Sequence, residues 1–180
     1  MGIAGPGVFM AKRLRGSGPT PVDIGEVGEV QACYTDEILR IIASETVPVI
    51  SPLGREMDTG KTLNINADLA AAALACSLKP AKLLFVSDVP GLLRNPGDPA
   101  SLIPSVSPAK ADDLTSSGVI SGGMIPKVQS AIEALQAGVE KVHFIDGRIP
   151  HAVLLEIFTP PKGSGPKLPP SANSGSITVS

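Results

Sequence analysis

Residues 62–88, "TLNINADLAAAALACSLKPAKLLFVSD", carry the pattern on which the fold turns. Asn64, Asn66 and Asp68 stand at alternate positions, so their side chains reach one side of a strand end. A run made almost wholly of Ala and Leu follows, as fits a helix packed tightly on a sheet. "AKLLFVSD" (81–88) is then the clearest strand in the chain, an apolar run that ends in Ser-Asp.

Strand and helix patterns alternate in both directions from there. Upstream, "VGEVQACY" (27–34) alternates weakly and suits a strand. Thr35 is placed to cap "DEILRIIASE", in which Ile38, Ile41 and Ile42 share a helical face. "VPVIS" (47–51) is short, β-branched and apolar, like a buried strand. Downstream, residues 89–108 carry Pro90, Pro96, Pro99, Pro104 and Pro108 and read as one long connection, a length that goes with function or disorder. Val128, Ala131, Ile132 and Leu135 recur at helical spacing and predict an amphipathic helix ending near Gly138. "EKVHFID" (140–146) predicts a further strand and "HAVLLEIF" (151–158) a short helix. Such alternation implies parallel strands joined by crossover helices in an α/β layered fold. Residues 1–20 read as an irregular Gly/Pro-rich opening segment, and residues 160–180, dominated by Pro, Gly and Ser, as a disordered extension. One domain over residues 1–159 is the expectation, and 180 residues suffice for a real core.

Composition excludes several classes of function. With 15 Lys+Arg against 17 Asp+Glu the net charge is −2, which argues against a charge-driven binder of nucleic acid or membrane surfaces. Aromatic residues make up 3% with no Trp, too few for base-stacking platforms. Cys33 and Cys76 form no disulfide framework and lack metal-ligand spacing, as expected of a reducing compartment. The N-terminus has no apolar signal core, and no apolar run approaches the length of about 20 residues that spans a bilayer. A soluble, cytoplasmic protein is expected.

Four stretches are candidates for chemistry. Ser87 and Asp88, ahead of Pro90 and Gly91, lie at the carboxyl end of a strand, where open α/β sheets bind ligands; they are also ordinary turn residues. "GREMDTGKT" (54–62) suggests a phosphate loop, but Gly54 and Gly60 enclose five residues where the motif has four, so a plain β-turn accounts for it better. In "GVISGGMIPKV" (118–128), Gly122 and Gly123 free the backbone to approach a ligand, and Pro126 suits a first helical turn. Lys127 places a cation at a helix N-terminus, where it opposes the dipole but would meet an anion; a solvated lysine after a glycine hinge reads equally well. Helix capping explains Asn66 and Asp68 yet leaves Asn64 without a role. An aspartate that holds a distant lysine charged and aimed is what phosphoryl transfer uses.

"DIGEVGEV" (23–30), "LNINADLAAAALA" (63–75), "KLLFVSDVPGLL" (82–93), "GVISGGMIPKVQSAIEAL" (118–135) and "VHFIDGRIPHAVLLEIFT" (142–159) together resemble the N-acetylglutamate kinases, a branch of the amino acid kinase family. The resemblance runs from about Gly2 to Thr159. It implies a three-layer αβα sandwich on a mostly parallel sheet. It also implies ATP-dependent phosphorylation, with Mg²⁺, of the side-chain carboxylate of N-acetyl-L-glutamate, a step of arginine biosynthesis. In that frame Asp68 and Lys127 are the catalytic residues, Asp68 organising the lysine that neutralises the migrating phosphoryl group. Asn64, with Asn66 beside it, falls on the substrate side. Ser87, Asp88, Gly91, Leu92, Gly123 and Met124 fall on the nucleotide side. His143 and Glu156 lie where arginine-inhibited members bind that feedback effector.

The family's opening lysine- and glycine-rich strand end, Gly-Gly loop and substrate-binding arginine have no counterpart in these 180 residues. The resemblance therefore implies a C-terminal, nucleotide-binding portion of the domain, incomplete at its N-terminal side and impaired in catalysis alone. A homo-oligomer is expected where the full domain is present. Two alternatives stay open: a non-catalytic nucleotide- or arginine-binding regulatory module, and another amino acid kinase.

Overall fold

Alternate burial along Thr62–Ile65 (β6) shows how the first part of the chain folds: Leu63 and Ile65 are almost fully buried, while Thr62 and Asn64 face outward. The computed structural model describes residues 2–3, 5–16, 22–89, 91–95, 97–158 and 176–179. By internal contact the chain divides into two compact units, Met1–Leu78 and Lys79–Ser180.

In the first unit, Phe9–Arg13 (β2), Val27–Cys33 (β3), β6 and Leu53–Glu56 (β5) close into a four-stranded barrel. β2 pairs antiparallel with β3 and parallel with β5, and β6 closes the ring against both β3 and β5. Closure at so small a diameter needs a residue without a side chain. A Cβ at Gly54 would stand 2.7 Å from Ile65 Cδ1 and 2.8 Å from Ala11 Cβ. Asp36–Ala43 (α1) buries Ile38 and Ile41, and Ala67–Leu78 (α2) buries Ala70, Ala72 and Ala75. The alanines of α2 let its backbone come close to the barrel core of Phe9, Leu63 and Ile65. Gly2–Ile3 (β1) pairs in parallel with Val49–Ile50 (β4) as a separate two-stranded sheet.

The second unit is built on Lys82–Ser87 (β7), Ser105–Val106 (β8), Lys141–Asp146 (β9) and Ser176–Val179 (β10) in the order β7-β9-β10-β8. β7, β9 and β10 run parallel, and only β8 is antiparallel. The register of β7 on β9 sets Phe85 opposite Phe144, whose rings stack with centroids 5.3 Å apart. Such a pair adds roughly 0.5–1.5 kcal/mol beyond its buried area. Pro108–Ser116 (α3), Met124–Gln136 (α4) and Ala152–Phe158 (α5) complete the unit, and α4 and α5 both pack on β9. The predicted α/β class with parallel strands holds.

Several local expectations are corrected. Residues 1–20 are not irregular throughout, because they contain β2, a central barrel strand. The β-branched run 47–51 is no buried strand: Val47 and Val49 are 78% and 65% exposed, on a sheet with one partner strand. Thr35 precedes α1 but in helical geometry, and its side chain makes no capping bond; Ile42 turns outward. The connection 89–108 is pinned as a hairpin by the Leu93–Leu102 bridge and ends in β8. Helix α3, behind the proline-rich connection, has no counterpart among the predicted elements; Ser107 caps it and Pro108 opens it. Ser176–Val179, within the extension expected to be disordered, forms β10, with Ile177 fully buried between β9 and β8. The rest of that extension, residues 160–175 and 180, lies outside the described residues, as do Pro90 and Pro96.

Candidate functional site

The first unit carries Asn64, Asn66 and Asp68 where β6 hands over to α2. Asn66 is the helix cap: its Oδ1 accepts the N–H groups of Asp68 at 2.9 Å and Leu69 at 3.2 Å. Asp68, half-buried in the first turn, complements the helix dipole. Asn64 is exposed on the outer face of β6, and its backbone N–H donates to Glu26 O at 2.7 Å. Capping thus accounts for Asn66 and for the site of Asp68, and leaves the Asn64 side chain turned to solvent. A neighbouring cavity of about 160 Å³, lined by Phe9, Ile50, Pro52, Ala67 and Leu74, offers no charged group.

A second polar cluster in this unit escapes sequence reasoning. Arg13 on β2 donates to Glu56 on β5 through Nε at 2.9 Å and Nη2 at 3.1 Å, and to Glu26 at 2.7 Å. Thr59 also donates to Glu56, and the Arg13 guanidinium with this hydroxyl holds the buried Glu56 carboxyl down at about 2. Arg13 thus ties β2 to β5 and to the segment before β3, so the cluster reads as a structural lock.

In the second unit the parallel strands end at a cleft of about 460 Å³. The loop after β7 supplies Val89, Gly91 and Leu92, the segment before α4 supplies Ile120 and Ser121, and α4 supplies its first residue, Met124. Leu92 is buried, with its carbonyl accepting the Ile103 N–H at 2.8 Å, so the loop is a fixed wall. Gly123 is the N-cap of α4 and makes no side-chain cap; Gly122 takes φ +57, a left-handed geometry that favours glycine. Lys127 sits half-buried in the next turn. Ser87 and Asp88 close β7 beside this loop, with Ser87 Oγ donating weakly to Asp88 at 3.5 Å. The cleft therefore gathers Gly91, Leu92 and Met124 among its lining residues, with Ser87, Asp88 and Gly123 adjacent in sequence to them.

The strand register adds residues that motif reading does not select. β9 carries Asp146 opposite Ser87, and the next residue, Gly147, donates to Ser87 O at 2.8 Å. A Cβ on Gly147 would stand 2.7 Å from Val86 Cγ1. That close approach brings Arg148 to the cleft wall. The signal available beforehand was the end of a second parallel strand, "FIDGR", which only the pairing aligns with "FVSD".

His143 and Glu156 are brought together on the same unit. His143 Nδ1 lies 2.6 Å from Glu156 Oε1, and Lys82 Nζ donates to the Glu156 carbonyl at 3.3 Å. Burial lowers the His143 pKa, partly offset by the Glu156 charge. Among the described residues no group of three or more His, Cys, Asp or Glu could hold a metal ion, and no helix is long and apolar enough to cross a membrane.

A model of the amino acid kinase family matches residues 5–146. The acetylglutamate kinase of Akkermansia muciniphila is 54% identical over 162 residues, covering 89% of this chain and 54% of that protein. The acetylglutamate kinase of Methanobrevibacter smithii is 46% identical over 142 residues, covering 79% of this chain and 48% of that protein. Among solved structures, smu.665 from Streptococcus mutans superposes with a TM-score of 0.66 at 29% identity, over 79% of this chain and 54% of its own. The chain spans about half the length of the curated relatives it matches.

Proposed function

The chain belongs to the amino acid kinase family, and we propose that it forms the nucleotide side of an enzyme that phosphorylates N-acetyl-L-glutamate with ATP. The product would be N-acetylglutamyl 5-phosphate, an intermediate of arginine biosynthesis, in the cytoplasm. The observation that carries the reading is 54% identity to an acetylglutamate kinase across 89% of the chain, including both the β6–α2 junction and the cleft at the strand ends. Because these residues span half of such relatives, catalysis is assigned to the domain that contains them.

In this reaction a side-chain carboxylate oxygen attacks the γ-phosphorus in line, and ADP leaves from the opposite side. Little covalent work falls to the protein, which positions the reactants and neutralises charge on the migrating group. Lys127 supplies positive charge to the equatorial oxygens. Asp68 is assigned the family role of organising that lysine. Asn64, exposed at the end of β6, donates to the carboxylate end of the substrate, with Asn66 fixing the helix beside it. The cleft walls of Gly91, Leu92 and Met124 take the nucleotide, with Ser87, Asp88 and Gly123 beside them. Mg²⁺ screens the phosphate charge when bound, and it needs few protein ligands because substrate phosphates and water supply most of its shell.

The test is acyl-phosphate formation, trapped as the hydroxamate, by a domain extended to the relatives' full length. Turnover of N-acetylglutamate above that of aspartate or carbamate is expected; preference for another acceptor would overturn the assignment. A second reading concerns arginine as feedback effector, and the burial of a Glu156 carboxylate beside His143 favours it. A guanidinium would have to replace the imidazole there, so calorimetry with L-arginine on wild type and Glu156→Gln decides it.

A further inference from the structure

We propose that Arg148 is a nucleotide-binding residue, contacting the phosphates of the ligand in the strand-end cleft, with Asp146 as the positioning residue that aims it. The inference rests on the nucleotide reading above and adds a residue to it.

The lining of the cleft is largely apolar, from Val89, Leu92, Val119, Ile120 and Met124, and among its lining residues Arg148 alone is charged. Apolar walls with one cation suit a ligand that is part flat ring and part anion. A guanidinium is the side chain best matched to phosphate oxygens, through its planar fork of donors.

The arginine is held. Its Nε and Nη2 donate to the two oxygens of Asp146 at 2.8 and 2.6 Å, and its backbone N–H donates to Asp146 Oδ1 at 3.0 Å. Asp146 is itself buried at the end of β9, so the clamp is anchored in the sheet. The guanidinium is otherwise 61% exposed at the cleft, and this two-point grip consumes only part of its five donors. A turn needing stabilisation alone would be served by the backbone bond already present. Fixing the long side chain against the cleft removes the rotamer entropy that a mobile arginine would lose on binding.

Calorimetry on the 180-residue chain tests this, with Mg·ADP, Mg·ATP and adenosine as probes. Arg148→Ala should weaken Mg·ADP binding about ten- to hundredfold, the range for a lost hydrogen bond to a charged group. Adenosine affinity should change less than about threefold, a difference of under 1 kcal/mol by the same conversion. Arg148→Gln, which keeps length and polarity, guards against a folding defect and should show the same selective loss. Unchanged Mg·ADP affinity in either folded variant would overturn the proposal while leaving nucleotide binding intact. Equal losses for ADP and adenosine would overturn the phosphate contact. If the wild-type chain binds no adenine nucleotide, the cleft assignment itself falls, and this inference with it.

Discussion

His143 on β9 and Glu156 on α5 meet at 2.6 Å with side chains only 7% and 11% exposed. The pair matters because α5 buries none of its own residues fully, and Leu154, Ile157 and Phe158 stand largely exposed. Among the described residues, this contact and the Lys82 ammonium on the Glu156 carbonyl tie it to the sheet. Glu156→Ala should therefore raise amide hydrogen exchange across 152–158 while β7 and β9 keep their protection. Loss of protection in both strands together would show that α5 and the sheet open as one unit.

The same imidazole sets a pH dependence. His143 faces Glu156 on α5, Lys82 on β7 and Lys141 on its own strand, and burial outweighs the carboxylate in lowering its pKa below 6.5. A depressed folded value means that the fold binds this proton less readily than the unfolded chain. The stabilisation is thus complete above about pH 6.5 and is lost as pH falls through the folded value. Chemical unfolding midpoints should drop between neutrality and mild acid in wild type. His143→Gln should flatten that part of the profile.

Glu56 gives a second, more acidic window. Its carboxyl is held at about 2 by Arg13 and Thr59, against 4.5 ordinarily, so this contribution is present above 4.5 and lost as pH falls towards 2. Arg13→Met leaves the buried carboxylate without its principal partner. Glu56 should then titrate upwards, and acid unfolding of the barrel, followed by circular dichroism, should begin at higher pH. An unmoved acid limb would mean that other carboxylates control it.

What could be read in advance follows from where the information lies. β7, β9 and α4 were legible because each buries a periodic or continuous apolar face, a property local to the segment. β2 and β10 were not, since "FMAKR" and "SITV" are short and sit in Gly/Pro-rich surroundings; only their partners decide them. The burial assigned to 47–51 failed because apolar composition shows the capacity for burial and not the presence of a covering layer. At the site, glycines and prolines marked the loops around the cleft. Arg148 stayed hidden, since its place depends on the alignment of Asp146 with Ser87 across two strands.

Asn66 separates capping from substrate contact. Its Oδ1 serves two α2 amides, so Asn66→Ala should lower stability by about 1 kcal/mol. Asn66→Ser restores a capping oxygen but shortens the side chain and removes the amide. Stability should recover with serine. A KM for N-acetylglutamate that recovers with it would confine Asn66 to the helix; a KM that stays raised would put the amide on the substrate.

Asp68 and Lys127 have to be tested as a pair, in a domain at the relatives' full length, because one is proposed to act through the other. Lys127→Ala removes a preorganised cation from the migrating phosphoryl group and should lower kcat about 10²- to 10³-fold with little change in the KM for ATP. Asp68→Asn keeps the shape of the first turn of α2 and removes the charge that aims the lysine, so kcat should fall again. The double variant carries the argument. If Asp68 works only by holding Lys127, removing it after the lysine is gone costs little more, and the double variant should turn over about as fast as Lys127→Ala alone. Fully multiplicative losses would make the two residues independent, leaving Asp68 to the dipole of α2 and the lysine to another partner.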